Sequence, residues 1–317
     1  MKNPMEKIHN LVDKVERSYL SNYQKLPVDL QAHFAERYYK VKGKMVNKEA
    51  IEQVLHKKRK FLDDYIDKSD NEKGEYKHRL DRIRSYQKED PRQLARLKRR
   101  ERYYQGNSAA YVNAMLIWNF YKIYHLTRDR EFFNKYHEKI RLLLEQEEAN
   151  LHEHFMINSI LVINNVFVMK HIGLEDQSGQ IYSILENIRI DENFNSLDYL
   201  YSLTHIIIAL SDFYQRFLDR EEVAKNSFIL KYFMDNMDNI LEDANIDIIC
   251  EIGLCFELCG RKEIKIRQLI TDYLVQRYNP KYSLFTEGSS ISLADMEHSN
   301  ILAVMYYNLK QEFYLLF

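Results

Sequence analysis

The chain has 317 residues, 45% of them apolar and 29% charged, with a formal net charge of −1. That is enough apolar content for a sizeable core, and it leaves no overall field to recruit nucleic acid or an anionic membrane. Only 8 glycines and 4 prolines stand against 24 tyrosines and 16 phenylalanines, a poor supply of turn formers for a β-rich fold. An all-α protein is expected.

The segment Met1 to Glu16 is charged and amphipathic, unlike a secretory signal. The first hundred residues read as two or three long charged helices, broken at Pro4, at Pro27 and at the polar patch Ser69 to Glu75 around Gly74. Apolar residues at Phe61, Leu62, Tyr65, Leu80, Ile83, Leu94 and Leu97 recur at helical spacing. Between Lys57 and Arg102 there are 17 Lys/Arg against 10 Asp/Glu, a modest basic excess. Within it, Asp63-Asp64-Tyr65-Ile66-Asp67 is similar to the DDxxD magnesium-diphosphate motif of class I terpene and prenyl synthases. No second metal motif accompanies it, and the surrounding lysines favour a solvated helix face. The stretch "RLKRRERYYQG" (96–106) could contact phosphates and stack on bases. Its acids and apolar spacing favour an intramolecular salt-bridging helix instead, so nucleic acid is not the expected partner.

Around Gly106 to Ser108 the composition turns abruptly apolar and aromatic. This suggests a charged N-terminal helical segment over 1–105, packing on a helical-hairpin repeat domain over 106–317. Apolar helices are expected at Ala109–Leu126, His154–His171, Leu203–Phe217, Ile248–Cys259 and Ser299–Leu309, each ending in a small or polar turn. The ends recur at roughly 42 to 50 residues, the size of a helix-turn-helix unit. No apolar run reaches the ~18 residues needed to span a bilayer. The cysteines Cys250, Cys255 and Cys259 crowd into ten residues of helical pattern, a poor disulfide framework. A cytoplasmic, reduced protein is the natural reading.

Two architectures use repeats of this size: an open HEAT-like superhelix, and a closed α/α toroid whose inner helices point their N-terminal ends into a cavity. The starts of the apolar helices favour the toroid. They carry His154, His205, Glu251 after Asp247, and Glu297-His298. Asp212 follows His205 by seven residues, two turns along one face of a continuous helix. His154, His205, Asp212, Glu251, Glu297 and His298 are thus the candidate catalytic residues, since imidazole beside carboxylate suits proton transfer near neutral pH. Each also has an ordinary reading as a helix cap.

The stretches "SLTHIIIALSDFY" (202–214), "DIICEIGLCFELCG" (247–260) and "GSSISLADMEHSNILAVMYYN" (288–308) resemble bacterial α/α-toroid proteins of uncharacterised function. The resemblance implies a fold rather than an activity. Cys255 and Cys259 lie one turn apart and could join His298 around zinc, but they read equally as small core residues. No metal is assigned and the cofactor is unknown. A small-molecule ligand in a His/carboxylate-lined central cavity is the leading expectation. The alternative is a helical-repeat protein that holds a protein or nucleic-acid partner through its concave face or basic N-terminal helices. Oligomeric state is not legible.

Overall fold

A computed structural model describes residues 4–76, 91–191, 194–287, 291–309 and 314. Among them the chain is all-α. In order the helices are α1 (Pro4–Asn22), α2 (Val28–Lys42), α3 (Lys48–Tyr65), α4 (Asp70–Gly74), α5 (Pro91–Gly106), α6 (Ser108–Thr127), α7 (Arg130–Ala149) and α8 (Leu151–His171). There follow α9 (Ser178–Asn187), α10 (Ser196–Leu210), α11 (Arg220–Lys225), α12 (Ser227–Asp243), α13 (Ile246–Leu258), α14 (Ile264–Gln276) and α15 (Glu297–Asn308). The strands described are β1 (Tyr278–Asn279) and β2 (Leu284–Phe285), an antiparallel pair with Tyr278 opposite Phe285. Leu80, Ile83 and residues 288–290 of the closing-repeat motif lie outside the described residues.

Local chemistry sets the boundaries. Pro4 opens α1 and Pro27 stands immediately before α2, positions where proline's missing N–H costs nothing. Ser69 with Glu72, and Asp219 with Glu222, form capping boxes that satisfy the first amides of α4 and α11. Gly43 and Gly260 end their helices in the left-handed conformation that glycine adopts freely. Four of the five expected apolar helices coincide with α6, α8, α13 and α15 to within three residues. The fifth does not: helix over Leu203–Phe217 was expected, whereas α10 runs from Ser196 and stops at Leu210.

Contacts divide the chain into two units, one of residues 1–54 with 210–316 and the other of residues 55–209. The grouping cuts across the composition change at residue 106, because the N-terminal helices pack with the C-terminal ones. In the first unit α1 and α2 lie against α15, and α13 packs on α12, α14 and α15. Its core contains Ile8, Tyr19, Phe34, Ile248, Ile249, Leu302 and Val304, all at most 2% exposed. Gly253 permits the close approach of α13 to α15, since a Cβ there would lie 2.7 Å from the Tyr306 ring.

In the second unit α6 packs on α7 and α8, and α5 on α8. Here three arginines of the basic helix α5 are engaged internally. Arg96 and Arg99 meet the buried Asp198 carboxylate at 2.6 and 2.7 Å, and Arg100 Nε donates to the Ile157 carbonyl at 3.3 Å. The acidic run at the end of α3 and just beyond it is also paired: Asp63 with Lys135 and Tyr136, Asp64 with Lys60, and Asp67 with Lys139. The Asp198 network is buried, whereas the pairs made by the acidic run are largely exposed.

Candidate functional site

The first unit gathers ionisable side chains from three helices and one turn. From α2 come His33 and Arg37, one helical turn apart; from α13, Asp247 and Glu251, with the same spacing; from the start of α15, Glu297 and His298. Glu297 is fully enclosed. The His33 Nδ1 lies 2.9 Å from its Oε1 and 2.8 Å from its Oε2. One N–H can satisfy only one oxygen well; it bonds Oε1 and leaves Oε2 buried without a hydrogen-bond partner among the described residues. Nε of Arg37 is buried and unbonded in the same sense.

The two histidine rings lie 5.2 Å apart, and the Ser299 hydroxyl donates to Asp247. Burial pushes the Glu297 carboxyl up to about 7, against the pull of His298 and Arg37 and with some help from Asp247. Burial lowers His298 to about 4, although Asp247 and Glu297 favour its charged form. Near neutral pH the arrangement therefore holds a carboxyl group close to half-protonation beside a neutral imidazole. The His33 side chain, 27% exposed, connects the cluster to solvent.

The turn beside the cluster is the segment that replaces the end of the expected long helix. Asp212, Phe213 and Tyr214 have φ of 54°, 54° and 66°, three consecutive non-glycine residues in the left-handed region. Each costs roughly 1–2 kcal/mol relative to ordinary backbone, so tertiary contacts must hold them. The buried ammonium of Lys40 donates 2.8 Å to the Phe213 carbonyl while pairing with Glu36 at 3.1 Å. The Ser211 hydroxyl accepts from the Tyr214 amide, and Arg216 forks onto Glu222 just beyond. The turn buries Tyr214, whose phenol is raised well above its usual range by burial and then by Glu251.

Of the six residues singled out in the sequence, Glu251, Glu297 and His298 belong to this group. Asp212 is half-buried in the left-handed turn next to Arg216. Because α10 ends at Leu210, the continuous-helix spacing expected between His205 and Asp212 does not exist. His205 and His154 belong to the second unit. Nδ1 of His205 contacts Asn164 Oδ1 at 3.2 Å. His154, 3% exposed, pairs through Nδ1 with Glu147 at 2.7 Å and lines a cavity of about 620 Å³.

Sequence reading missed His33, Arg37 and Tyr214. The available signal was the polar set His33, Glu36, Arg37 and Lys40 interleaved with Phe34, Ala35 and Tyr38, too rich in apolar neighbours for a fully wet helix. Cys250, Cys255 and Cys259 are free and buried, with thiols pushed up by burial. No group of three or more His, Cys, Asp or Glu among the described residues is arranged to hold a metal. None of the described helices is long and apolar enough to cross a membrane.

A family model matches residues 8–312, nearly the whole chain, and the protein belongs to that family, described as a domain of unknown function, DUF3541. No curated protein and no solved structure matches the chain.

Proposed function

We propose that the protein binds and processes a small molecule by general acid–base chemistry at the Glu297 cluster. The observation that supports it best is the buried, half-satisfied Glu297 carboxyl held by His33. A carboxyl group near half-protonation at neutral pH can give or take a proton with little driving-force penalty. Its Oε2, close to His33 but without a hydrogen bond among the described residues, is the oxygen a substrate hydroxyl or amine would meet, and His33 is the group that can pass the proton onward to solvent. Arg37 supplies a fixed positive charge for an oxyanion developing on the substrate.

In this reading the helices form an α/α-toroid-like array. The packing of α1 and α2 on α15 supports it, because it joins the two ends of the chain within one unit. The three free, buried cysteines support a reducing compartment. Arg96, Arg99 and Arg100 are engaged within the second unit, so those three side chains do not support the partner-binding alternative.

The test is to incubate the purified protein with a metabolite extract and compare mass spectra with those from a Glu297→Gln variant. The native chain should deplete or create at least one species that the folded variant leaves untouched. Identical spectra for the two proteins would end the acid–base reading.

A further inference from the structure

Helix α2 connects the Glu297 cluster to the left-handed turn. Along it His33, Glu36, Arg37 and Lys40 follow one another at helical spacing, so that they share one side of the helix. His33 and Arg37 belong to the cluster. Lys40, two turns on from His33, holds the turn: its buried ammonium pairs with Glu36 at 3.1 Å and donates 2.8 Å to the Phe213 carbonyl. One helix face therefore serves the site and grips the segment beside it.

What Lys40 grips is a conformation that the local sequence opposes. Asp212, Phe213 and Tyr214 are left-handed in succession, and the Gln215 and Arg216 amides close the turn on the Ser211 carbonyl at 2.9 and 3.0 Å. Ser211 to Phe217 has helical spacing and neither glycine nor proline, so right-handed continuation of α10 is the ready alternative. Local preference and tertiary packing point to different conformations here, the condition under which a segment has two arrangements. The turned arrangement is held by the Lys40 bond and by the burial of Phe213 and Tyr214. The Tyr214 phenol lies within electrostatic reach of Glu251, which raises it, and of Arg37, which lowers it. Past the turn the Leu218 amide donates to the Leu258 carbonyl at 2.9 Å, so the chain is anchored again at the end of α13 and the stretch able to rearrange is short.

We propose that residues 211–217 form a lid on the Glu297 cluster, latched by Lys40 and opened when the segment leaves the left-handed turn for right-handed helix, an inference that rests on the acid–base reading of that cluster. Opening withdraws Tyr214 from Glu251 and Arg37 and gives a small molecule its way to the buried carboxyl. Closing returns the phenol and shuts water out while a proton moves.

Amide hydrogen exchange on the full chain measures the opening without any substrate, so its outcome is separate from that of the metabolite comparison. The Gln215 and Arg216 amides should exchange through an opening that leaves the Leu218 amide and the interior of α13 protected. Asp212→Gly and Asp212→Ala remove the same carboxylate and differ by one methyl group, which the left-handed turn disfavours and right-handed helix favours. The alanine variant should open roughly tenfold more often than the glycine variant. Replacing the latch pair together, Glu36→Gln with Lys40→Met, strands neither charge in the interior and should speed exchange of the two amides roughly tenfold over the native chain. Each gain should be matched by faster reaction of a thiol reagent with Cys255, fully buried on α13 within electrostatic reach of Tyr214. Equal exchange in the glycine and alanine variants, or exchange of the turn only together with α13 in global unfolding, would overturn the lid. So would faster exchange with the Cys255 reaction unchanged.

Discussion

The two units bury charge in opposite ways. In the second, Asp198 is 1% exposed and receives Arg96 Nε, Arg99 and the Asn195 amide, while the Arg96 guanidinium also covers the Tyr201 ring at 4.5 Å. In the first, Glu297 is as deeply buried as Asp198, yet both of its oxygens share the single close partner His33, and Oε2 makes no hydrogen bond among the described residues. A buried carboxyl group held on one side shifts its affinity for protons, and such groups collect where chemistry is done.

The largest way to break this comparison is Asp198→Ala. It would strand Arg96 and Arg99 in a dry interior, and the expected loss is about 3–5 kcal/mol, measured by urea unfolding. A loss below about 1 kcal/mol would mean that the network is not the closed one described.

Glu297→Gln should act with the other sign. A carboxyl raised in the folded state binds protons more tightly there than in the unfolded chain, so the native protein loses stability as pH rises from about 4.5 to about 7. Above that window the glutamine variant should be more stable than the native chain, by roughly 2–3 kcal/mol, and below it the two should converge. His298 works in reverse. Its lowered value costs stability as pH falls from about 6.5 to about 4. The two slopes oppose each other in the native protein over the shared range. Glu297→Gln should expose a rise of stability with pH across it, and His298→Gln a fall. Unfolding curves collected over that range check both signs.

Gly253→Ala sharpens the packing side of the comparison. The added methyl would meet the Tyr306 ring at 2.7 Å and push α13, with Asp247 and Glu251, away from α15. A cost of about 1–3 kcal/mol is expected, together with a return of the Glu297 proton affinity toward the ordinary range. The smallest effect should be Asp219→Ala, which removes the capping box of α11 behind the left-handed turn, for about 1 kcal/mol.

What could be read in advance follows from these same residues. The helices from 108 onward were legible because their apolar runs are long and their ends carry Gly173, Gly260 or a polar cap. Glu251, Glu297 and His298 were legible because acids and histidines stand out at the start of apolar helices. The end of α10 was not. "SDFYQRF" has helical spacing and no glycine or proline, and the chain is turned left-handed there by Lys40, 173 residues away from Phe213. His33 and Arg37 were hidden for a related reason. They lie on a helix whose charge suggests a wet surface, and only its packing on α15 makes them part of the interior.

The most direct measurement is the ionisation of Glu297 itself, followed through its side-chain carboxyl carbon by NMR while pH is varied, with Glu297→Gln used for assignment. The account predicts a midpoint near 7. A midpoint near the ordinary 4.5 would show a carboxylate that stays charged at neutral pH, and would contradict the acid–base reading at its source.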